Sequence, residues 1–238
     1  MKQDKNIIQN ADHMKIELFE NERATNYDNF VNTWIPSYET FIELASNVIG
    51  LKTPSTENPQ ILIAGCGSGT EMLQMSRHYS HWQLTGVDPS PEMIEQATEK
   101  LAGHQNMHFI NGLVSDLPPD QHFDGATLIL VLHFMPNDGS KLTLLKDICE
   151  RLKPGAPFYL VDIFGESDDF TTNLELLGAL LKSKVDSTAM EARLNRIKEK
   201  IHHISEERLS ALFEEAGFTP PTRLYQSTIY GSWCACKA

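Results

Sequence analysis

Between residues 60 and 164, short apolar runs alternate with amphipathic stretches, and this alternation restricts the fold more than any other property of the chain. Gln60-Ile61-Leu62-Ile63-Ala64-Gly65 is the kind of continuous apolar run that a strand buried on both faces requires. The pattern predicts a helix over 69–79, a strand over 82–88, and a helix over 90–102 opened by Pro89-Ser90-Pro91. Strands are predicted at 107–111 and 125–132. A helix over 139–152 then runs out at Lys153-Pro154-Gly155, before a strand at 157–164. Strands separated by helices in this way run parallel, with right-handed crossovers.

The flanks complete the plan. Residues 1–52 read as a helical cover, with Phe30, Trp34, Tyr38, Phe41 and Ile42 at helical spacing and Pro36 between two helices. A polar, proline-containing linker, 53–59, leads into the α/β core at 59–164. Residues 165–204 hold two helical patterns and no strand, and form an insertion. Residues 205–238 close the core. A helix at 205–216 has Ser205 as N-cap, Glu206 and Glu207 in its first turn and Gly217 past its end. Strands at 218–226 and 228–237 are joined too tightly for a crossover and must be antiparallel. The expected fold is an α/β, doubly wound, seven-stranded and mostly parallel sheet with an antiparallel last strand.

Composition narrows the partners. With 41% hydrophobic and 22% charged residues the chain has enough apolar surface for a core and is no disordered segment. A net charge of −12 gives no general attraction to phosphate backbones, so nucleic acid is disfavoured. The basic group Lys182, Lys184, Arg193, Arg196, Lys198 and Lys200 is interleaved with acids and reads as a solvated helix face. No run is long and apolar enough to span a membrane, and the first twenty residues lack a secretory h-region, so a cytoplasmic location is expected. Cys66, Cys149, Cys234 and Cys236 form no disulfide framework, and no Cys or His spacing suits a metal.

The chemistry begins at Gly65-Cys66-Gly67-Ser68-Gly69-Thr70, between the first core strand and a helix. Glycines let backbone approach a ligand with no Cβ in the way, and the helix N-terminus offers free N–H groups. The spacing is G-x-G-x-G, whereas a dinucleotide fingerprint wants a third glycine where Thr70 stands, so a nicotinamide cofactor is disfavoured. Nineteen residues beyond Gly69, at the end of the next strand, Asp88 is placed to accept hydrogen bonds from ribose hydroxyls. Loop and acid together predict a nucleoside site.

ILIAGCGSGTEML, LTGVDPSPEMIEQA, FDGATLILVLHFM and LLKDICERLKPGAPFYLVDIF resemble the successive motifs of class I S-adenosylmethionine-dependent methyltransferases, over residues 59–164. That resemblance implies a Rossmann-like methyltransferase fold and S-adenosylmethionine as cofactor. It implies that Gly65, Cys66 and Gly67 line the methionine portion, with Gly69 also among the cofactor-binding residues. Asp88 would hold the ribose, with Pro89 against the adenine and Leu113 and Val114 at its edge. Ile129 would face the cofactor through its main chain, and Tyr38 would cover it. Ile35-Pro36-Ser37-Tyr38 and Tyr230-Gly231-Ser232-Trp233 are similar to segments of the carboxy-S-adenosylmethionine synthases of tRNA wobble-uridine modification. The chain departs from the families at three positions. Ile63 and Leu113 stand where acids are usual, and Ile129 where the synthases have asparagine. The synthases' carboxylate-binding arginine has no firm counterpart, though Arg193 and Arg196 lie nearby.

Methyl transfer chiefly demands positioning, and a hydroxyl or protonated amine acceptor also needs a base. His133, just past the fourth core strand, is the candidate base; Asp162, near the end of the fifth, is a second candidate or a partner for a neighbouring loop. Tyr27, Phe30, Trp34 and Tyr38 are candidates to wall a small-molecule acceptor pocket, and an exposed aromatic N-terminal helix would suit a homodimer. The leading expectation is a methyltransferase acting on a small molecule. The others are an enzyme making or using carboxy-S-adenosylmethionine, a non-catalytic cofactor-binding protein, and a nicotinamide-linked reductase.

Overall fold

Strand β3 (Gln60–Ala64) lies inside a seven-stranded sheet, paired in parallel with β4 (Gln83–Asp88) on one side and β6 (Gly125–Ile129) on the other. The computed structural model describes residues 7–9, 15–17, 26–53 and 57–238. With β5 (Met107–Asn111), β7 (Pro157–Ile163), β8 (Thr222–Ser227) and β9 (Tyr230–Cys236), the strand order is β5-β4-β3-β6-β7-β9-β8. β9 is antiparallel to both β7 and β8; every other pairing in this sheet is parallel. The chain leaves β3 in one direction and returns beside it from the other, which opens a crevice at the carboxyl ends of β3 and β6.

Alternation along β3 divides the core. Ile61 and Ile63 face one hydrophobic cluster; Leu62 and Ala64 face the other. The first cluster is covered by α2 (Tyr38–Lys52), α3 (Thr70–His78) and α6 (Ser167–Leu181), the second by α5 (Ser140–Arg151) and α8 (Glu206–Ala216). α4 (Pro91–Lys100) packs on β4 and β5, while α1 (Tyr27–Trp34) and α7 (Ser187–Lys200) supply Val31 and Ile197 to the first cluster. Among the described residues no helix is long and apolar enough to cross a membrane.

Several expectations need correction. The first fifty residues are not helical throughout. Ile7–Gln9 (β1) and Lys15–Glu17 (β2) pair as a short antiparallel ribbon, and cross-strand pairing of so few residues leaves no helical period to detect. The rest of 1–25, including most of the segment read for a secretory signal, lies outside the described residues, as do 54–56 of the linker. β6 stops at Ile129, not at 132, because Leu130 turns out of the sheet with φ 60°, a left-handed conformation uncommon for a leucine. The last two strands start later than predicted, at 222 and 230; Pro220 and Pro221 have no N–H to give a ladder. The aromatic residues of α1 are half-buried against the core, so the exposed aromatic face that suggested a homodimer is not found.

Candidate active site

The glycine loop is fixed by backbone bonds before any ligand is considered. Gly65 and Cys66 both donate their N–H to the Val87 carbonyl, at 2.8 and 3.1 Å, and Gly69 donates to Cys66 at 3.0 Å. Gly65, Gly67 and Gly69 have φ of 69°, 50° and 78°, where a side chain is strained. A Cβ on Gly65 would lie 2.3 Å from Val131 Cγ2, whereas one on Gly67 would meet nothing closer than the Tyr27 ring at 3.7 Å. Gly67 therefore presents bare backbone to open space. Asp88 ties this loop to the next: Oδ2 accepts the Gly67 N–H at 3.0 Å and Oδ1 the Ser90 N–H at 2.9 Å. Burial pushes the Asp88 carboxyl up to about 6, with the Ser90 and Gly67 bonds opposing.

These groups form one wall of a narrow slot of about 100 Å³. Gly65, Gly67, Asp88 and Pro89 stand at its polar side, and Met93, Val114 and Leu144 are among its apolar lining. A carboxylate offers about four acceptor positions; the Gly67 and Ser90 N–H groups use two and the Ser90 hydroxyl a third. Capacity remains for a hydroxyl of a ribose. The bare backbone at Gly67, the spare acceptor of Asp88 and the apolar slot fit a nucleoside such as that of S-adenosylmethionine.

A second, wider cavity of about 430 Å³ shares Tyr27, Leu130 and Phe134 with the slot. His133 lines it, on the 3-10 turn Leu132–Phe134 that follows Leu130. The Nδ1 atom of His133 lies 2.7 Å from Asp162 Oδ1, and the His133 backbone N–H donates to Asp162 Oδ2 at 3.2 Å. A carboxylate only accepts, so Nδ1 carries a proton, and in the neutral imidazole Nε2 is then the nitrogen with the free lone pair. No hydrogen bond engages Nε2 among the described residues. Lys141, buried and held down to about 8 by desolvation, donates to the Leu132 carbonyl at 2.6 Å and to that of His202 at 2.7 Å. His202 in turn donates its N–H to the His133 carbonyl at 2.9 Å. The turn that carries His133 is held from three directions.

α1 is fastened to the glycine loop by Asp28. Oδ1 accepts from Ser68 Oγ at 2.5 Å and Thr70 Oγ1 at 2.9 Å, and Oδ2 pairs with Lys100. Burial raises the Asp28 carboxyl, but the bonds from Lys100, Ser68 and Thr70 outweigh it and hold it below the usual range.

Of the residues singled out from sequence, Gly65, Gly67, Asp88, Pro89, Leu113, Val114 and Ile129 all line the slot, Tyr27 lines both cavities and His133 the wider one. Four do not reach either. Cys66 turns its thiol into the core, where burial pushes it well up. Gly69 caps α3 against Leu101 and Ala97. Tyr38 is buried at the start of α2, and Trp34 stacks on Phe30 with 6.1 Å between ring centres, outside the lining of both cavities. Asp116 accepts the Leu113 N–H at 2.8 Å and so stabilises a turn. The structure adds groups that no motif marked. Glu71 is buried with Oε1 unpartnered, and Asp147 of α5 reaches the slot. Arg193, Arg196 and Tyr230 line the wide cavity. The two arginines thus correct the reading of their basic group as a solvated face.

Residues 61–155 match a family model described as a methyltransferase domain. An O-methyltransferase of Aspergillus sclerotiorum is 31% identical over 138 residues, covering 54% of this chain and 50% of that protein. The carboxy-S-adenosyl-L-methionine synthase of Ruthia magnifica is 26% identical over 144 residues, 58% of each chain. The chain thus spans about half to three-fifths of the length of these curated relatives. Among solved structures, the plantazolicin methyltransferase in complex with a triazolic analogue and SAH superposes with TM-score 0.67 at 16% identity, covering 92% of both chains. At that identity the likeness is one of fold.

Proposed function

We propose that this chain, whose residues 61–155 match a family model described as a methyltransferase domain, is an S-adenosylmethionine-dependent methyltransferase acting on a small-molecule hydroxyl acceptor. One observation carries the reading: the nucleoside slot and the wide cavity meet at Tyr27, Leu130 and Phe134, and His133 stands on the acceptor side of that junction. Gly65, Gly67 and Asp88 would hold the cofactor, which when bound supplies an electrophilic methyl group. The rest is done by the chain. The wide cavity orients the acceptor and its apolar walls exclude water. His133 takes the hydroxyl proton at Nε2, and Asp162 steadies the imidazolium that results. Asp162 also fixes the tautomer, and Lys141 and His202 fix the turn.

The carboxy-S-adenosylmethionine reading is less well supported, since Ile129 offers no side-chain donor or acceptor at the slot. A non-catalytic binding protein would have no use for an oriented imidazole at the cavity wall. The test is direct. Purified chain is incubated with S-adenosylmethionine carrying a labelled methyl group and a panel of phenols, amines and thiols. Label transferred to phenols, and lost in His133→Gln, supports the reading; label transferred to no member of the panel overturns it.

A further inference from the structure

The wide cavity has a charge that the chain as a whole does not. The net charge is −12, yet among the described residues no carboxylate lines this cavity, while Arg193 and Arg196 do. The two arginines are three apart on α7, so they project from one face of the helix. Arg193 lies over the Phe30 ring, 4.8 Å from its centre, and its buried Nε has no hydrogen-bond partner among the described residues. On the same wall the hydroxyl of Tyr230, a fully buried residue on β9, stands beside the Arg193 guanidinium, which can donate to it. Burial raises that hydroxyl, and the neighbouring Arg193 pulls it back.

A guanidinium only donates, and it stays charged at any pH a protein survives. Leaving a buried donor unmet is costly, so a cavity wall that carries the Arg193 Nε–H bare, with a second guanidinium one turn along, is built for a group that accepts. Val31, Ile35 and Ile163 give the same cavity an apolar lining, next to the Phe30 ring on which Arg193 lies. Acceptor groups with negative charge at one end, a flat apolar body, and a hydroxyl within reach of His133 describe one class of molecule.

We infer that the acceptor is an aromatic hydroxy acid whose carboxylate is received by Arg193, Arg196 and Tyr230. This rests on the wide cavity being the acceptor site. Arg193 and Arg196 determine which acceptors are taken. Planar carboxylate and planar guanidinium match in a fork that an amide or a phenol cannot copy.

The experiment is calorimetry on the full chain with four probes: 4-hydroxybenzoate, 6-hydroxy-2-naphthoate, and the carboxamide of each. Each is titrated with and without saturating S-adenosylhomocysteine, whose own binding is recorded first. The inference expects at least one acid to bind about tenfold or more tighter than its carboxamide with the slot already filled. In Arg193→Met and Arg196→Met that preference should shrink towards unity, and in Arg193→Lys part of it should survive. Equal affinity for acid and amide, or no binding of either acid at millimolar concentration, overturns it on the parent chain alone, whatever the variants do. So does acid binding that disappears once S-adenosylhomocysteine is present, because the carboxylate is then in the cofactor slot. Failure of S-adenosylhomocysteine itself to bind would instead strike the methyl-transfer reading, and the acid preference could still be measured without it.

Discussion

Asp162 Oδ1 lies 2.7 Å from Nδ1 of His133, and each side chain is only 5% exposed. The two residues end neighbouring parallel strands or the turn that follows, and the pair exists because Ile129 and Val161 are in register. Leu130 then turns the chain sharply enough to bring His133 back over the end of β7.

If His133 is the base, His133→Gln should lower kcat by about 10²–10⁴ with little change in affinity for S-adenosylhomocysteine. Asp162→Asn should be nearly as severe, since an amide donates to Nδ1 and moves the imidazole proton to the cavity side. Steady-state kinetics beside calorimetry separates the two effects. Unchanged kcat in both variants would leave His133 a lining residue.

The Asp28 latch predicts a different signature. Asp28 is 40% exposed and Lys100 27%, so losing the ion pair should cost under about 1 kcal/mol of stability, less in high salt. Its effect belongs to the cover helix. Asp28→Asn should weaken S-adenosylhomocysteine binding several-fold while the melting temperature barely moves, and should speed proteolytic nicking near residue 26. Equal loss of stability and affinity would mean that α1 is merely part of the core.

Glu71 gives a pH prediction. Burial pushes its carboxyl from 4.5 up to about 7, with the nearby Thr127 hydroxyl opposing only weakly. The folded chain therefore holds a proton that the unfolded chain has released between these values. Stability from this group is full below the unfolded value and declines as pH rises towards about 7. Glu71→Gln removes the titration, so relative to the parent it should gain about 2–3 kcal/mol on going from pH 4.5 to pH 8. Urea unfolding at both pH values measures it. Parallel pH curves for the two proteins would show that Glu71 ionises normally.

Much of this was legible because it is local. Alternating strands and helices, the loop from Gly65 to Gly69 and the acid at Asp88 all sit within one run of chain, where periodicity and spacing carry the information. What was not legible depends on the approach of distant segments. His133 and Asp162 are 29 residues apart, and sequence put both at strand ends without pairing them. Arg193 and Arg196 looked like part of an exposed basic face because neighbouring lysines and acids dominate the pattern; only the packing of α7 over the cavity turns them inward. Tyr38 and Trp34 had the right spacing to wall a pocket, and that spacing serves core packing equally well. Leu130 carries no sequence mark of its left-handed turn, so β6 was drawn too long. Asp28 is one of many acids until Ser68, Thr70 and Lys100 are seen around it.

The central claim is that Asp88 grips the sugar of a nucleoside lying on Gly67. Burial pushes its carboxyl up to about 6, so the bonds that it accepts should strengthen as it ionises. Calorimetric titration of S-adenosylhomocysteine into parent and Asp88→Ala chains, across pH 5 to 8, tests this most directly. The expected result is parent affinity that rises through about pH 6 and falls by about 10²-fold or more on substitution, with folding verified by the melting curve. Equal affinity in the two proteins, or no heat from the parent at millimolar ligand, would contradict it.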